Sequence, residues 1–179
     1  SLVKLLSGFG MNTPLVFDPF TTDEAVAAFG AKRVSLDELL MQSDFVSLHC
    51  PLNEQTRNLI GDRELRLMKP AAYFINTARG GIVVEEALID ALSNGRLAGA
   101  ALDCFNDEPL TQPPRFAELD NVLLAPHCIA WTDELFRDIG RTACQGMIDL
   151  YHHRRPIGVV NPEVFNRPGF QSKWERLTT

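Results

Sequence analysis

The chain predicts an α/β fold, a doubly wound parallel sheet with helices on both faces. Three observations predict it. Short apolar runs alternate with segments of helical spacing along most of the 179 residues, which is the pattern of repeated βα units. The apolar runs carry few polar positions, as strands covered on both faces should. Capping residues and glycine stops fall where one kind of segment gives way to the next.

The elements follow in order. Residues 1–7 have helical spacing, and Gly8 and Gly10 suit a helix stop. Residues 14–18, Pro-Leu-Val-Phe-Asp, read as a short strand. Residues 22–29 read as a helix capped by Thr22 and stopped by Gly30. Residues 35–41 read as another, with a capping box from Ser35 to Glu38. A strand over 44–49 ends at Cys50-Pro51, and a short helix over 61–68 stops at Lys69-Pro70. Strand 72–77 runs into Arg79-Gly80-Gly81. Helix 85–94 has Gly95 just past its end, and strand 98–103 follows. A Pro-rich irregular stretch, 109–114, precedes strand 122–125 and a longer helix from about 132 to 153. Residues 156–179 are punctuated by proline and read as less regular.

Composition narrows the function classes. The net charge is −6, so no basic surface advertises nucleic acid or anionic lipid. No apolar run approaches the ~20 residues that span a bilayer. Neither nucleic acid nor membrane is expected as a partner. The four cysteines, at 50, 104, 128 and 144, form no CxxC pair. They read as reduced thiols of a cytoplasmic protein, with no metal site expected.

Three polar residues, Arg79, Glu108 and His127, each follow an apolar run that reads as a strand. In open parallel sheets, ligands bind outside the carboxyl ends of the strands. A guanidinium there can grip a carboxylate in a bidentate fork, and Gly80-Gly81 lets backbone pass close to a ligand. The plainer alternative is a surface arginine in a flexible turn. A histidine paired with a glutamate is oriented and has its pKa raised, which suits a general acid/base. The plainer alternative is a solvated acid, Asp103 or Glu108, and a structural histidine. Asp18 closes the strand at 14–18, where an acid accepts hydrogen bonds from adenosine ribose hydroxyls and repels a 2′-phosphate. A turn aspartate before Pro19 is the alternative. Gly8-Phe-Gly10 closes a helix and precedes a strand, the reverse of a phosphate-binding loop.

Asn76-Thr-Ala-Arg-Gly-Gly81, with Glu86-Ala-Leu-Ile-Asp-Ala-Leu92 downstream, resembles the signature of the D-isomer-specific 2-hydroxyacid dehydrogenases. Ser43 to Leu52, Leu67 to Pro70, Gly95 to Asp103, Glu108-Pro109 and Ala125-Pro-His127 add to the resemblance, which runs to about Val164. The resemblance implies a Rossmann-type fold, NAD as cofactor, a small 2-hydroxy or 2-oxo acid as substrate and a homodimeric parent. It implies that Arg79 holds the substrate carboxylate and carbonyl, that His127 moves the hydroxyl proton, and that Glu108 orients His127. Asp18 would bind the ribose. Cys50, Thr77, Ala78, Asp103 and the segment from His127 to Ala130 would line the cofactor cleft. Formate dehydrogenases, a branch of the superfamily, carry Gln at the position of Glu108, so Glu108 argues against that branch. A non-enzymatic, corepressor-like NAD-binding protein on the same scaffold is the competing function.

The resemblance also implies residues 1–150 as an NAD-binding domain and 151–179 as a tail returning to a substrate domain. On that reading the sheet lacks its first strand and glycine-rich loop, and the chain is a C-terminal portion of a longer enzyme. The expected consequence is little or no turnover by the 179-residue chain alone, because pyrophosphate would lack helix N-terminal amides. Robust NADH-dependent reduction of hydroxypyruvate or glyoxylate by the purified chain would contradict it.

Overall fold

Strands β3 (Phe45–Leu48), β4 (Tyr73–Asn76), β5 (Gly99–Leu102) and β6 (Val122–Leu124) pair in parallel, in the order of the chain. Their register aligns the carboxyl ends. Leu48 lies opposite Asn76, Asn76 opposite Leu102, and Leu102 opposite Leu124. The computed structural model describes residues 2–176. They divide into two compact units, with the boundary between Ile129 and Ala130.

The first unit holds the sheet. β3 and β4 are rich in the aromatic and β-branched residues that suit a pleated surface. Val46, Leu48, Phe74 and Asn76 are buried, while Phe45 and Tyr73 stack on each other in the open at 5.4 Å between ring centroids. Helices α3 (Leu36–Gln42), α4 (Asp62–Leu67) and α5 (Glu85–Ser93) flank the sheet. They add Leu40, Leu65, Leu88 and Leu92 to the core around Phe74, where Ile60, Ile82 and Phe116 also sit.

A second, two-stranded parallel sheet joins β1 (Leu15–Val16) to β2 (Lys32–Arg33). Among the described residues no ladder joins it to β3. In a doubly wound order the strands on either side of the first do not pair with each other. β2 was not expected from the sequence. It is two exposed, charged residues long, and so has no apolar period to read.

Most helix ends follow the expected chemistry. After α1 (Leu2–Leu6) the chain stops at Gly10, with φ +66°. Thr22 caps α2 (Asp23–Ala27) by accepting the Ala25 N–H at 3.2 Å. Only half of the expected capping box at α3 forms. Ser35 accepts the Glu38 N–H at 3.2 Å, but the Glu38 carboxylate turns outward to Lys32 Nζ, also at 3.2 Å.

In the second unit, Thr132 caps α6 (Asp133–Tyr151) through the Leu135 N–H. No residue of this helix is buried, although Phe136, Ile139 and Met147 are apolar. The tail expected to be irregular contains α7 (Pro168–Arg176). Its proline stands at the first helical position, where the missing N–H costs nothing. Phe165, Phe170 and Trp174 pack together, with ring centroids 5.3–5.5 Å apart. The Trp174 indole N–H donates to the Leu150 carbonyl at 2.5 Å.

The described residues hold no helix long and apolar enough to cross a membrane. All four cysteines are unpaired.

Phe74 is fully buried in an inner strand. Phe74→Ala should cost about 3–5 kcal/mol, read as a lower urea midpoint for the polypeptide that carries these residues.

Candidate active site

The aligned strand ends deliver four loops to one edge of the sheet. After β3 come His49, Cys50, Pro51 and Leu52. With Thr77, Ala78 and Arg79, which follow β4, they line an open cleft of about 660 Å³. That volume is in the range of small-molecule sites. Burial pushes the Cys50 thiol above its ordinary pKa, against a backbone hydrogen bond that lowers it. The His49 ring meets Ser47 Oγ at 2.9 Å.

The loop after β4 is shaped by the last residue of the strand. Asn76 is fully buried. Its side-chain oxygen accepts the Ala78 N–H at 3.1 Å, and its amide nitrogen donates to the Arg79 carbonyl at 2.9 Å. Arg79 itself is exposed. One end of its guanidinium donates to the Ala78 carbonyl at 2.5 Å, and it forms no ion pair among the described residues. At Gly80, a Cβ would fall 1.9 Å from the Phe105 carbonyl oxygen. Only glycine lets the loops after β4 and β5 pass so closely.

The loop after β5 brings the acids. Asp103 is 4% exposed, so the plainer alternative of a solvated acid does not describe it. Its carboxylate accepts the Cys128 N–H at 3.0 Å and the Ile129 N–H at 3.3 and 3.4 Å. A buried carboxylate needs such donors, and here they come from the chain just past His127. His127 stands at φ +56°, in the left-handed region that is uncommon outside glycine.

Glu108 and His127, 19 residues apart in sequence, meet. One Glu108 oxygen accepts the Phe105 N–H at 2.8 Å, and the other lies 2.6 Å from His127 Nδ1. Burial pulls the Glu108 pKa upward. The hydrogen bonds from His127 and Phe105 and the charges of His127 and Arg79 outweigh it, and the net shift is downward. Glu108 therefore stays ionised at neutral pH. It engages Nδ1, and Nε2 makes no protein hydrogen bond among the described residues. The imidazole is 42% exposed, open enough for a small molecule to reach it. Burial first, then the Glu108 and Asp103 charges, push the Cys104 thiol up to about 11 against the pull of Arg79.

The sequence-predicted residues are thus distributed unevenly. Cys50, Thr77, Ala78 and Arg79 share one cleft. Glu108 and His127 form a pair, and the Arg79 charge reaches Glu108. Asp103 faces backbone. Ala130 opens the second unit, its carbonyl accepting the Thr132 N–H at 2.9 Å. Asp18 follows β1 on the smaller sheet, where one carboxylate oxygen accepts the Phe20 N–H at 2.8 Å. Asn76 was read only as part of a motif, and its clamp on the Arg79 loop was missed. The available signal was an amide in the last position of an otherwise apolar strand. No group of His, Cys, Asp and Glu among the described residues could hold a metal ion.

The profile of the family described as "D-isomer specific 2-hydroxyacid dehydrogenase, NAD binding domain" matches residues 1–128. A glyoxylate reductase of Korarchaeum cryptofilum is 38% identical over 173 residues, covering 96% of this chain and 52% of its own. A D-3-phosphoglycerate dehydrogenase of Synechocystis is 45% identical over 155 residues, covering 87% of this chain and 27% of its own. The NAD-complexed D-isomer specific 2-hydroxyacid dehydrogenase of Lactobacillus delbrueckii superposes with a TM-score of 0.79 at 31% identity, over 89% of this chain and 51% of that one. D-lactate dehydrogenase of Lactobacillus jensenii with NAD+ gives a TM-score of 0.81 at 29% identity, with the same coverage. The chain spans about half the length of the glyoxylate reductase and of both Lactobacillus structures, and about a quarter of the phosphoglycerate enzyme.

Gly80→Ala should drive the two loops apart. Expected is a stability loss of about 2 kcal/mol, with Arg79 and Glu108 displaced. A thermal scan checks this.

Proposed function

The chain belongs to the D-isomer-specific 2-hydroxyacid dehydrogenase family, and we propose that the polypeptide carrying it interconverts a small D-2-hydroxy acid and its 2-oxo acid with NAD. The observation that carries this reading is the Glu108–His127 contact of 2.6 Å at the sheet edge that also presents Arg79. The names of the relatives, glyoxylate reductase and D-lactate dehydrogenase among them, favour a short 2-oxo acid.

The residues present fit the cofactor. The cleft of about 660 Å³ beside Cys50, Thr77 and Ala78 has room for a nicotinamide and its ribose. NAD, when bound there, would supply the hydride acceptor for oxidation at C2 and, reduced, the hydride donor for the reverse. Cys50, Thr77 and Ala78 hold the nicotinamide end. Asp103 and the segment from His127 to Ile129 border it, and Asp18 takes the adenosine ribose hydroxyls.

Arg79 grips the substrate carboxylate and carbonyl with its planar fork, which fixes the orientation of C2. His127 acts through Nε2. In reduction the imidazolium gives its proton to the carbonyl oxygen, which becomes the hydroxyl, and neutral imidazole remains. In oxidation the neutral ring takes that proton back. Glu108 accepts the Nδ1–H throughout, which sets the tautomer and orients the ring. Residues 1–150 serve as the cofactor domain and 151–179 as a tail to a substrate domain, in a cytoplasmic homodimer.

In the polypeptide that carries these residues, His127→Ala should lower kcat by roughly 10²–10⁴-fold, with NADH affinity little changed. Arg79→Lys should raise KM and lower kcat together, because an ammonium cannot reproduce the fork. Glu108→Gln should lower kcat less than His127→Ala does, because the amide oxygen can still accept the Nδ1–H but holds the ring less firmly. Steady-state kinetics separates the three. Near-normal kcat in His127→Ala would reject this mechanism in favour of corepressor-like binding.

A further inference from the structure

Two side chains are the buried polar or charged groups among the described residues, Asn76 and Asp103. They end adjacent strands. Asp103 has a charge to satisfy, whereas Asn76 stands where an apolar residue would serve the core. Its two partners in register, Leu48 and Leu102, are leucines that are 8% and 4% exposed. Burial alone therefore does not call for an amide at this position, and an unbonded amide there would be costly.

The amide bonds to neither sheet nor core. Both of its polar atoms are committed to the loop that carries Arg79, at 3.1 Å to the Ala78 N–H and 2.9 Å to the Arg79 carbonyl. The opposite amide orientation would set N–H against N–H and oxygen against oxygen, so one orientation satisfies the loop. The backbone carbonyl of Asn76 accepts the Asp103 N–H at 3.0 Å and the Cys104 thiol at 3.5 Å. One residue thus joins the loop bearing Arg79 to the strand end whose carboxylate holds the chain after His127.

We propose that Asn76 is a positioning residue for the reaction, whose side-chain amide fixes the Thr77–Arg79 backbone and so aims the Arg79 guanidinium at the substrate carboxylate. The inference rests on the role given to Arg79 above. It adds a residue that works through Arg79 without touching substrate. A displacement of about 1 Å in a substrate-holding group can cost on the order of 10²-fold in rate.

The test uses the polypeptide that carries these residues, with glyoxylate and NADH as probes. Asn76→Asp keeps the size and the acceptor but puts a carboxylate oxygen against the Arg79 carbonyl. At pH 8 kcat/KM should fall by roughly ten- to a hundredfold while the thermal transition persists. Burial favours the protonated acid, whose O–H can donate to that carbonyl. The deficit relative to the unsubstituted protein should therefore shrink as pH falls. A deficit equal at pH 5.5 and pH 8 would overturn the proposal, since restoring a donor toward the Arg79 carbonyl would then not restore the rate.

Asn76→Leu copies the neighbours in register and should lower kcat/KM with no acid recovery. In an Arg79→Lys background the same change should cost only a few-fold more, because the group it aims is already compromised. Undiminished multiplication of the two losses would overturn the positioning role while leaving that of Arg79 standing. Unchanged kcat/KM in Arg79→Lys alone would overturn the function reading, and this inference with it. Should Asn76→Leu fail to fold, the pH comparison on Asn76→Asp decides.

Discussion

The parallel ladder from β3 to β6 is the constraint on which the site depends. Leu48, Asn76, Leu102 and Leu124 stand in one row across four strands. The loops that follow therefore leave the sheet at the same height. Side chains alternate between faces along a strand, so a slip of one residue would exchange buried and exposed sets. Phe74 and Asn76 would turn outward and Ile75 would take their place. Register, set by burying Val46, Leu48, Phe74 and Leu102, is what puts an arginine, a glutamate and a histidine at one edge.

Loops that carry chemistry need more than a common origin, because backbone outside a ladder has many conformations. Here the strand ends supply the restraint. Asn76 ties down the backbone of one loop, and Asp103 ties down the chain after His127. Glu108 bridges the Phe105 amide and the His127 ring, so the group that orients the imidazole is itself anchored. Glu85 adds a further tie, accepting the Asn106 N–H at 2.7 Å. The exposed functional groups are thus mounted on buried hydrogen bonds, which is how a surface cleft keeps a defined geometry.

The legible parts of the fold were those with a period. Residues 73–76, 85–93 and 133–151 have the spacing of their elements, and the sequence places each to within about two residues. β2 was silent because two lysine and arginine residues have no pattern. α7 was silent because the prolines of residues 156–179 read as punctuation, although Pro168 at the first position suits a helix. At the site, Arg79, Glu108 and His127 were visible as polar residues just past apolar runs. The Glu108–His127 contact was implied by the family resemblance and not by the spacing, since a bond across 19 residues depends on how two loops turn back. The hydrogen bonds of Asp103 were not visible for the same reason. Its partners are backbone amides of another loop, and backbone leaves no trace in composition.

The approach at Gly80 also limits how such a site can change over evolutionary time. The loops after β4 and β5 touch there backbone to backbone, with no side chain between them to trim or enlarge. An insertion in the segment from Phe105 to Glu108 would press directly on the residue next to Arg79, and the reverse holds as well. The two segments must vary together or stay fixed. Variation in the cleft is then free to accumulate where no such backbone contact exists, for example in the open wall formed by Pro51 and Leu52. A library that randomised one catalytic loop at a time would sample mostly broken sites, whereas one that varied the cleft wall would leave the acid, the base and the cation in place.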